Sequence, residues 1–211
     1  MGWSLHKKCD VRRKGYAKRM LNNMRGKNMK KLLLITGDIA AGKSTFSKIL
    51  SARYRVAAFQ KDTIKEILGD AIGFHNREEN LKLSNATMGI LYHLFSGLAV
   101  TGNDVILEAN FHEAELQKLH EIAGENHYEI CTLVLRGDTD VLYQRYTNRM
   151  NNENRHPVHL STTLDVKEDF VRCAEWIKQE KIIGQTIEID ATDFSYQKDE
   201  ELLKRIDEFM G

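Results

Sequence analysis

Residues 32–50 read LLLITGDIAAGKSTFSKIL: an apolar run, two glycines framing a short turn, a lysine followed by two hydroxyls, and then a helical pattern. The spacing G-x-x-x-x-G-K-[ST] is met by Gly37, Gly42, Lys43 and Ser44, with Asp38, Ala40 and Ala41 among the residues between the glycines. Glycines let the backbone turn tightly and come close to an anion. Successive N–H groups at the positive end of a helix then surround a phosphate. In such a loop Lys43 reaches the β/γ oxygens, the Ser44 hydroxyl is placed to ligate Mg²⁺, and Thr45 lies nearer the α-phosphate. The strand before the motif and the apolar Phe46, Ile49 and Leu50 after it supply the context the motif requires. A site for a nucleoside triphosphate, ATP with Mg²⁺, is the expectation.

Outward from that loop, strand and helix patterns alternate. Residues 31–37, 55–62, 104–110, 129–137 and 185–192 read as short strands covered on both faces, as in a parallel sheet. Leu81, Met88, Leu91, Phe95 and Leu98 form one stripe of a long helix. Further helices are predicted over about 113–125, 138–150 and 166–182, with a last one carrying Leu202, Leu203, Ile206 and Phe209. Alternation of this kind implies right-handed crossovers and an open, doubly wound α/β fold. The polar stretch 148–165, rich in Asn and Arg, reads as a functional loop between two helices.

Composition sets the remaining bounds. The 211 residues suffice for one well-cored domain, and 42% hydrophobic with 29% charged residues is an ordinary soluble balance. No apolar run approaches a membrane span and no leader-like segment opens the chain, so a cytoplasmic protein without membrane contact is expected. Cys9, Cys131 and Cys173 lack paired spacing, which argues against a disulfide framework or a zinc site. Charge is uneven: residues 1–28 carry nine Lys/Arg against Asp10, while 29–211 is net acidic by seven. The first 28 residues read either as a basic arm that holds nucleic acid or as sequence upstream of the true start at Met29.

Other strand ends supply candidate chemistry, because ligands of open α/β sheets bind beyond the carboxyl ends of the strands. Asp62 stands at the carboxyl end of the second strand and is the candidate to orient an acceptor hydroxyl and take its proton. An aspartate is a weak base for an alcohol, so positioning is its larger expected contribution, and capping of the next helix is the competing role. Lys65 lies one turn on. Glu108 and Asn110 alternate at the end of the third strand, Glu108 suited to substrate hydroxyls or to the water shell of Mg²⁺ and Asn110 to a hydrogen bond with the acceptor. Arg145 and Arg149 are one helical turn apart, and Arg155 follows in the polar loop, where guanidiniums would neutralise phosphoryl oxygens under a closing lid. His156 and His159 are only half a metal site. The chain has no N-K-x-D sequence of the kind that reads guanine, which disfavours a switch.

Taken together, GDIAAGKST, QKDTIKE, LEANF, LRGD…YQRYTNR and NRHPVH resemble, in order, the small P-loop kinases: polynucleotide 5′-kinases, zeta toxins, chloramphenicol phosphotransferases and related predicted kinases of the AAA_33-like group. The resemblance spans about residues 29–211. It implies the P-loop NTP hydrolase fold, a three-layer, five-stranded parallel sheet in order 2-3-1-4-5, with Mg·ATP as phosphoryl donor. It further implies Asp62 as the acceptor-side base, Arg145 and Arg149 as lid arginines, and 189–193 as the adenine-contacting loop. Glu108 and Lys65 stand where polynucleotide kinases carry Asp and Arg, and the Lys loses bidentate phosphate recognition. With the acidic body of the chain, this favours a small hydroxylated acceptor over a nucleic-acid end. The alternatives are a polynucleotide 5′-hydroxyl kinase and a non-catalytic, ATP-binding regulator associated with RNA.

Overall fold

The computed structural model describes residues 29–152, 155–159, 164 and 166–211; the basic segment 1–28 and part of the polar loop 148–165 lie outside the described residues. Five parallel strands, β1 (Lys30–Gly37), β2 (Ala57–Gln60), β3 (Val105–Glu108), β4 (Tyr128–Arg136) and β5 (Gln185–Asp190), form one sheet in the order β2-β3-β1-β4-β5. Seven helices connect or flank them: α1 (Lys43–Tyr54), α2 (Lys61–Ile72), α3 (Arg77–Thr101), α4 (Glu113–Glu125), α5 (Thr139–Asn152), α6 (Lys167–Gln179) and α7 (Glu200–Met210). The expected doubly wound sheet and its strand order are both present.

The central strand accounts for the layering. Successive side chains of a strand face opposite ways, so Leu33 and Ile35 join one core with Phe46, Leu50, Tyr146, Phe170 and Ile206 of α1, α5, α6 and α7. Leu32 and Leu34 join a second core with Leu91, Phe95, Leu116 and Leu119 of α3 and α4. Both faces of β1 are therefore dry, which is why its sequence is a continuous apolar run rather than an alternation.

The edges depart from that expectation. β5 buries only Ile187 and Ile189, with Gln185, Thr186, Glu188 and Asp190 exposed, so it is a one-sided edge strand. β2 is four residues long, and the chain is already helical at Lys61; Asp62 thus stands in the first turn of α2 rather than on the strand. The long-helix stripe also needs correction, since Leu81 is 60% exposed. The buried face of α3 instead runs Asn80, Leu83, Thr87, Met88, Leu91, Phe95 and Ala99. Its polar members are satisfied: the Thr87 hydroxyl donates to the Leu83 carbonyl at 2.8 Å, and Asn80 Nδ2 to the Val158 carbonyl at 2.8 Å. Among the described residues no helix is long and apolar enough to cross a membrane.

Candidate active site

The loop between β1 and α1 is shaped by three residues in positive-φ conformations, Gly37 (125°), Ala40 (61°) and Gly42 (88°). Gly42 precedes the first residue of α1, and among the described residues no side chain caps that helix and no acid lies in its first turn. The first amides of a helix need partners, and here none is supplied by a neighbouring side chain. Lys43 folds back over the loop, its Nζ donating to the carbonyls of Gly37 at 3.0 Å and Asp38 at 2.7 Å. Burial depresses the Lys43 pKa, against the opposing pull of Glu108, Asp62 and Asp38. A buried amine beside uncapped amides suits an anion, whose charge would favour its protonated form.

Around this loop a cleft of about 470 Å³ collects side chains from every layer. The residues Ile39 to Thr45 form one wall, and α2 contributes Lys61, Asp62 and Lys65. Glu108 and Asn110 enter from the end of β3, Arg149 from α5, and Arg155 from the polar loop. Glu108 is 5% exposed and accepts from the Ser44 hydroxyl at 2.9 Å. Burial raises its pKa, with Lys43 opposing. The Lys65 pKa is lowered by burial, with Asp62 opposing and Lys61 reinforcing the fall. Asp62 is exposed within the cleft. It does not cap α2: the capping position is Gln60, whose Nε2 donates to the Ser44 carbonyl at 2.8 Å. Asn110 lies beyond the end of β3, and its buried Oδ1 has no hydrogen-bond partner among the described residues.

Two expected residues are turned elsewhere. Asp38 points into the protein, not toward the cleft, accepting from Arg136 Nη1 at 2.9 Å and from the Gly137 amide at 3.1 Å. Its side chain ties the loop to the end of β4, which leaves only its backbone for a phosphate. Arg145 and Arg149 also diverge rather than act as a pair. Arg145 donates to the Ala191 carbonyl at 2.8 Å and to the Thr192 carbonyl, and its guanidinium lies 4.1 Å from the centre of the Phe194 ring. It belongs to the 191–194 loop and is not among the residues lining the cleft.

The described turn of the polar loop, Pro157–His159 with His156 before it, is docked on α2. His156 Nε2 lies 2.9 Å from Asp70, and His159 Nε2 lies 2.7 Å from Glu66, so both histidines have carboxylate partners. Val158 between them is buried, and a Cβ built at Gly69 would come within 2.4 Å of its Cγ1. Alanine at 69 should therefore push the turn at Pro157–His159 outward, although the helix itself gains about 1 kcal/mol in propensity. The expected result is faster limited tryptic cleavage at Arg155 with unchanged helical circular dichroism; equal cleavage rates would show that Val158 simply sidesteps.

Sequence spacing missed several members of this assembly. Tyr196 donates its hydroxyl to the Ala41 carbonyl at 2.9 Å, fixing the phosphate loop from a segment 155 residues away. His112, Cys173 and Trp176 also line the cleft. None of these sits in a short motif, so only the folded chain brings them to the loop.

Comparison with known proteins agrees with this architecture. No curated protein matches the chain in sequence. Among solved structures, a candidate kinase from Chloroflexus aurantiacus J-10-fl superposes with a TM-score of 0.76 at 22% identity, over 87% of this chain and all of that one. Shikimate kinase from Bacteroides thetaiotaomicron gives 0.51 at 18% identity, over 86% of this chain and 98% of its own. The APS kinase CysC of Mycobacterium tuberculosis, solved with AMPPNP and APS, gives 0.53 at 13% identity, over 86% and 98%. These are likenesses of fold, the fold of P-loop kinases. The AAA_33 family model, described as an AAA domain, matches residues 32–172, from β1 through the phosphate loop and the polar stretch 148–165 into α6. The chain belongs to that family.

Proposed function

We propose that the protein is a cytoplasmic, Mg·ATP-dependent phosphotransferase that moves the γ-phosphoryl group of ATP to a hydroxyl of a small molecule. The observation that carries this reading is the convergence of Lys43, Asp62 and Glu108 on one cleft with an uncapped helix start. The amides of residues 37–45 and Lys43 would hold the phosphates, and the 191–194 loop with Phe194 and Arg145 would flank the base. Ser44 and Glu108, already hydrogen-bonded to each other, are a donor set suited to Mg²⁺, Ser44 directly and Glu108 through water. Bound there, the ion would neutralise charge on the β- and γ-oxygens.

In this scheme the acceptor hydroxyl is oriented by Asp62 and Asn110. Its oxygen forms a bond to the γ-phosphorus as the bond from that phosphorus to the β–γ bridging oxygen breaks. ADP leaves, and the hydroxyl proton passes to Asp62 late in a loose transition state. Lys65, Arg149 and Arg155 supply positive charge around the transferring group, and the docked turn at 157–159 keeps water from competing. Asp62→Asn keeps the shape of the side chain but removes its capacity to accept the proton. Its acceptor-dependent ADP release should fall by about 10²–10⁴-fold while ATP affinity is retained. Unchanged turnover in that variant, measured against a panel of alcohols that includes a 5′-hydroxyl oligonucleotide, would remove Asp62 from the reaction.

A further inference from the structure

We propose that the phosphoryl acceptor is an alcohol built on a flat conjugated ring, and that Trp176 is the residue that selects it. The inference rests on the phosphotransferase reading of the same cleft and adds the chemical class of the acceptor.

Two of the helices that line the cleft, α2 and α6, differ in character. From α2 come Lys61, Asp62 and Lys65, all charged, whereas α6 contributes Cys173, Trp176 and Ile177 and no charge. A ligand that meets both is amphipathic, with a hydroxyl toward Asp62 and an apolar body toward α6. Trp176 is the largest group on that second wall and is 52% exposed, although tryptophan is highly buried on average in folded proteins. Its ring is held rather than loose. The His112 imidazole lies against it with centroids 5.0 Å apart at 54°. His112 is itself fixed, its Nδ1 lying 2.8 Å from Glu180 Oε1, while Glu180 Oε2 accepts from the Glu113 amide at 3.0 Å. One part of the indole is thus braced from the start of α4, and the half-exposed ring lines the cleft.

An indole placed this way rewards a flat ring, since stacking of a base on an aromatic side chain contributes about 1–3 kcal/mol, or roughly five- to 150-fold in affinity. An open-chain polyol gains nothing comparable there, because it has no flat face to stack and its several hydroxyls would lose water against a wall that offers them little beyond the indole N–H and a weak thiol. Burial also raises the Cys173 thiol above its ordinary value, which keeps this wall uncharged.

The test uses the full chain saturated with Mg·AMPPNP and titrated calorimetrically with ring-bearing alcohols (uridine, pyridoxine, 4-hydroxybenzyl alcohol) and ring-free ones (glycerol, erythritol, ribitol). At least one ring-bearing alcohol should bind about tenfold tighter than any ring-free one. Trp176→Ala should erase that advantage while leaving AMPPNP affinity unchanged, and Trp176→Phe should keep it to within about threefold. The proposal is overturned if no ring-bearing alcohol binds, if ribitol or glycerol binds as tightly, or if Trp176→Ala leaves ring affinity intact. ADP release is scored separately. Ring binding that depends on Trp176, without release of ADP from any alcohol, would sustain the ring site and sink the phosphotransferase reading instead.

Discussion

Replacing Lys43 with alanine should abolish the thermal shift produced by Mg·ATP and lower kcat/KM for phosphoryl transfer by about 10²–10³-fold. The nucleotide-free protein, however, should be no less stable than the parent. Both halves follow from the same geometry. Nζ is folded onto the Gly37 and Asp38 carbonyls, where burial lowers its pKa below the ordinary lysine value. Holding the charge there costs the free protein stability, and on the proposed reading bound phosphate would recover that cost. The pH dependence has a definite sign. Between the lowered native value and the ordinary value of 10.5, the unfolded chain binds the proton more readily, so parent stability rises with pH through that window. The alanine variant should lose this increment. Calorimetric Mg·ATP titration and unfolding midpoints across the alkaline range decide the matter. Retained Mg·ATP affinity in the variant would dispose of the phosphate-loop assignment.

Among the described glycines, Gly37 should tolerate an added methyl least. A Cβ there would stand 2.0 Å from the Leu135 carbonyl oxygen and 2.6 Å from its nitrogen, both backbone atoms of β4, at a φ of +125°. Gly37 is paired with Leu135 in the sheet, and the next amide, Asp38, donates to that same carbonyl at 2.8 Å. The methyl can enter only by prising β1 from β4 just where the loop begins. Strain at a positive φ and overpacking each cost about 1–3 kcal/mol, so a loss of roughly 2–6 kcal/mol is expected. For a chain of this length that lowers the unfolding midpoint by about 5–20 °C. Mg·ATP binding should weaken as well, because the Gly37 carbonyl is one of the two groups that aim Lys43. A Gly37→Ala protein with parental midpoint and nucleotide affinity would mean that the two strands yield far more easily than their pairing implies.

The phosphate loop was legible in the sequence because its chemistry is local: φ-permissive glycines, an apolar strand and a helix start lie within twenty consecutive residues. The alternation of strands and helices was equally plain, but spatial strand order came only from family resemblance, since nothing in a strand's own pattern names its neighbour. Leu81 was assigned to a buried stripe by spacing that a neighbouring face of the same helix fits better, with Thr87 and Asn80 inside because long-range and backbone hydrogen bonds satisfy them. Asp38 is adjacent to the first glycine of the phosphate-loop motif, yet its side chain turns to Arg136, 98 residues on. Arg145 and Arg149 share a helical face, but the 191–194 loop captures the first while the second lines the cleft. Trp176 carried no signal, because its meaning depends on an imidazole from another segment and on a cleft neither one forms alone.

The position of β1, third of five strands and clasped on either side by β3 and β4, has a consequence for how such an enzyme changes over generations. The donor-holding loop hangs from the most constrained strand, whereas α2 hangs from the four-residue margin of the sheet and α6 follows a long connection. On the phosphotransferase reading, drift at those outlying helices around Asp62 would trade one partner compound for another without disturbing the loop that grips the nucleotide. A lineage on this scaffold can diversify in what it modifies while staying conservative in what it spends.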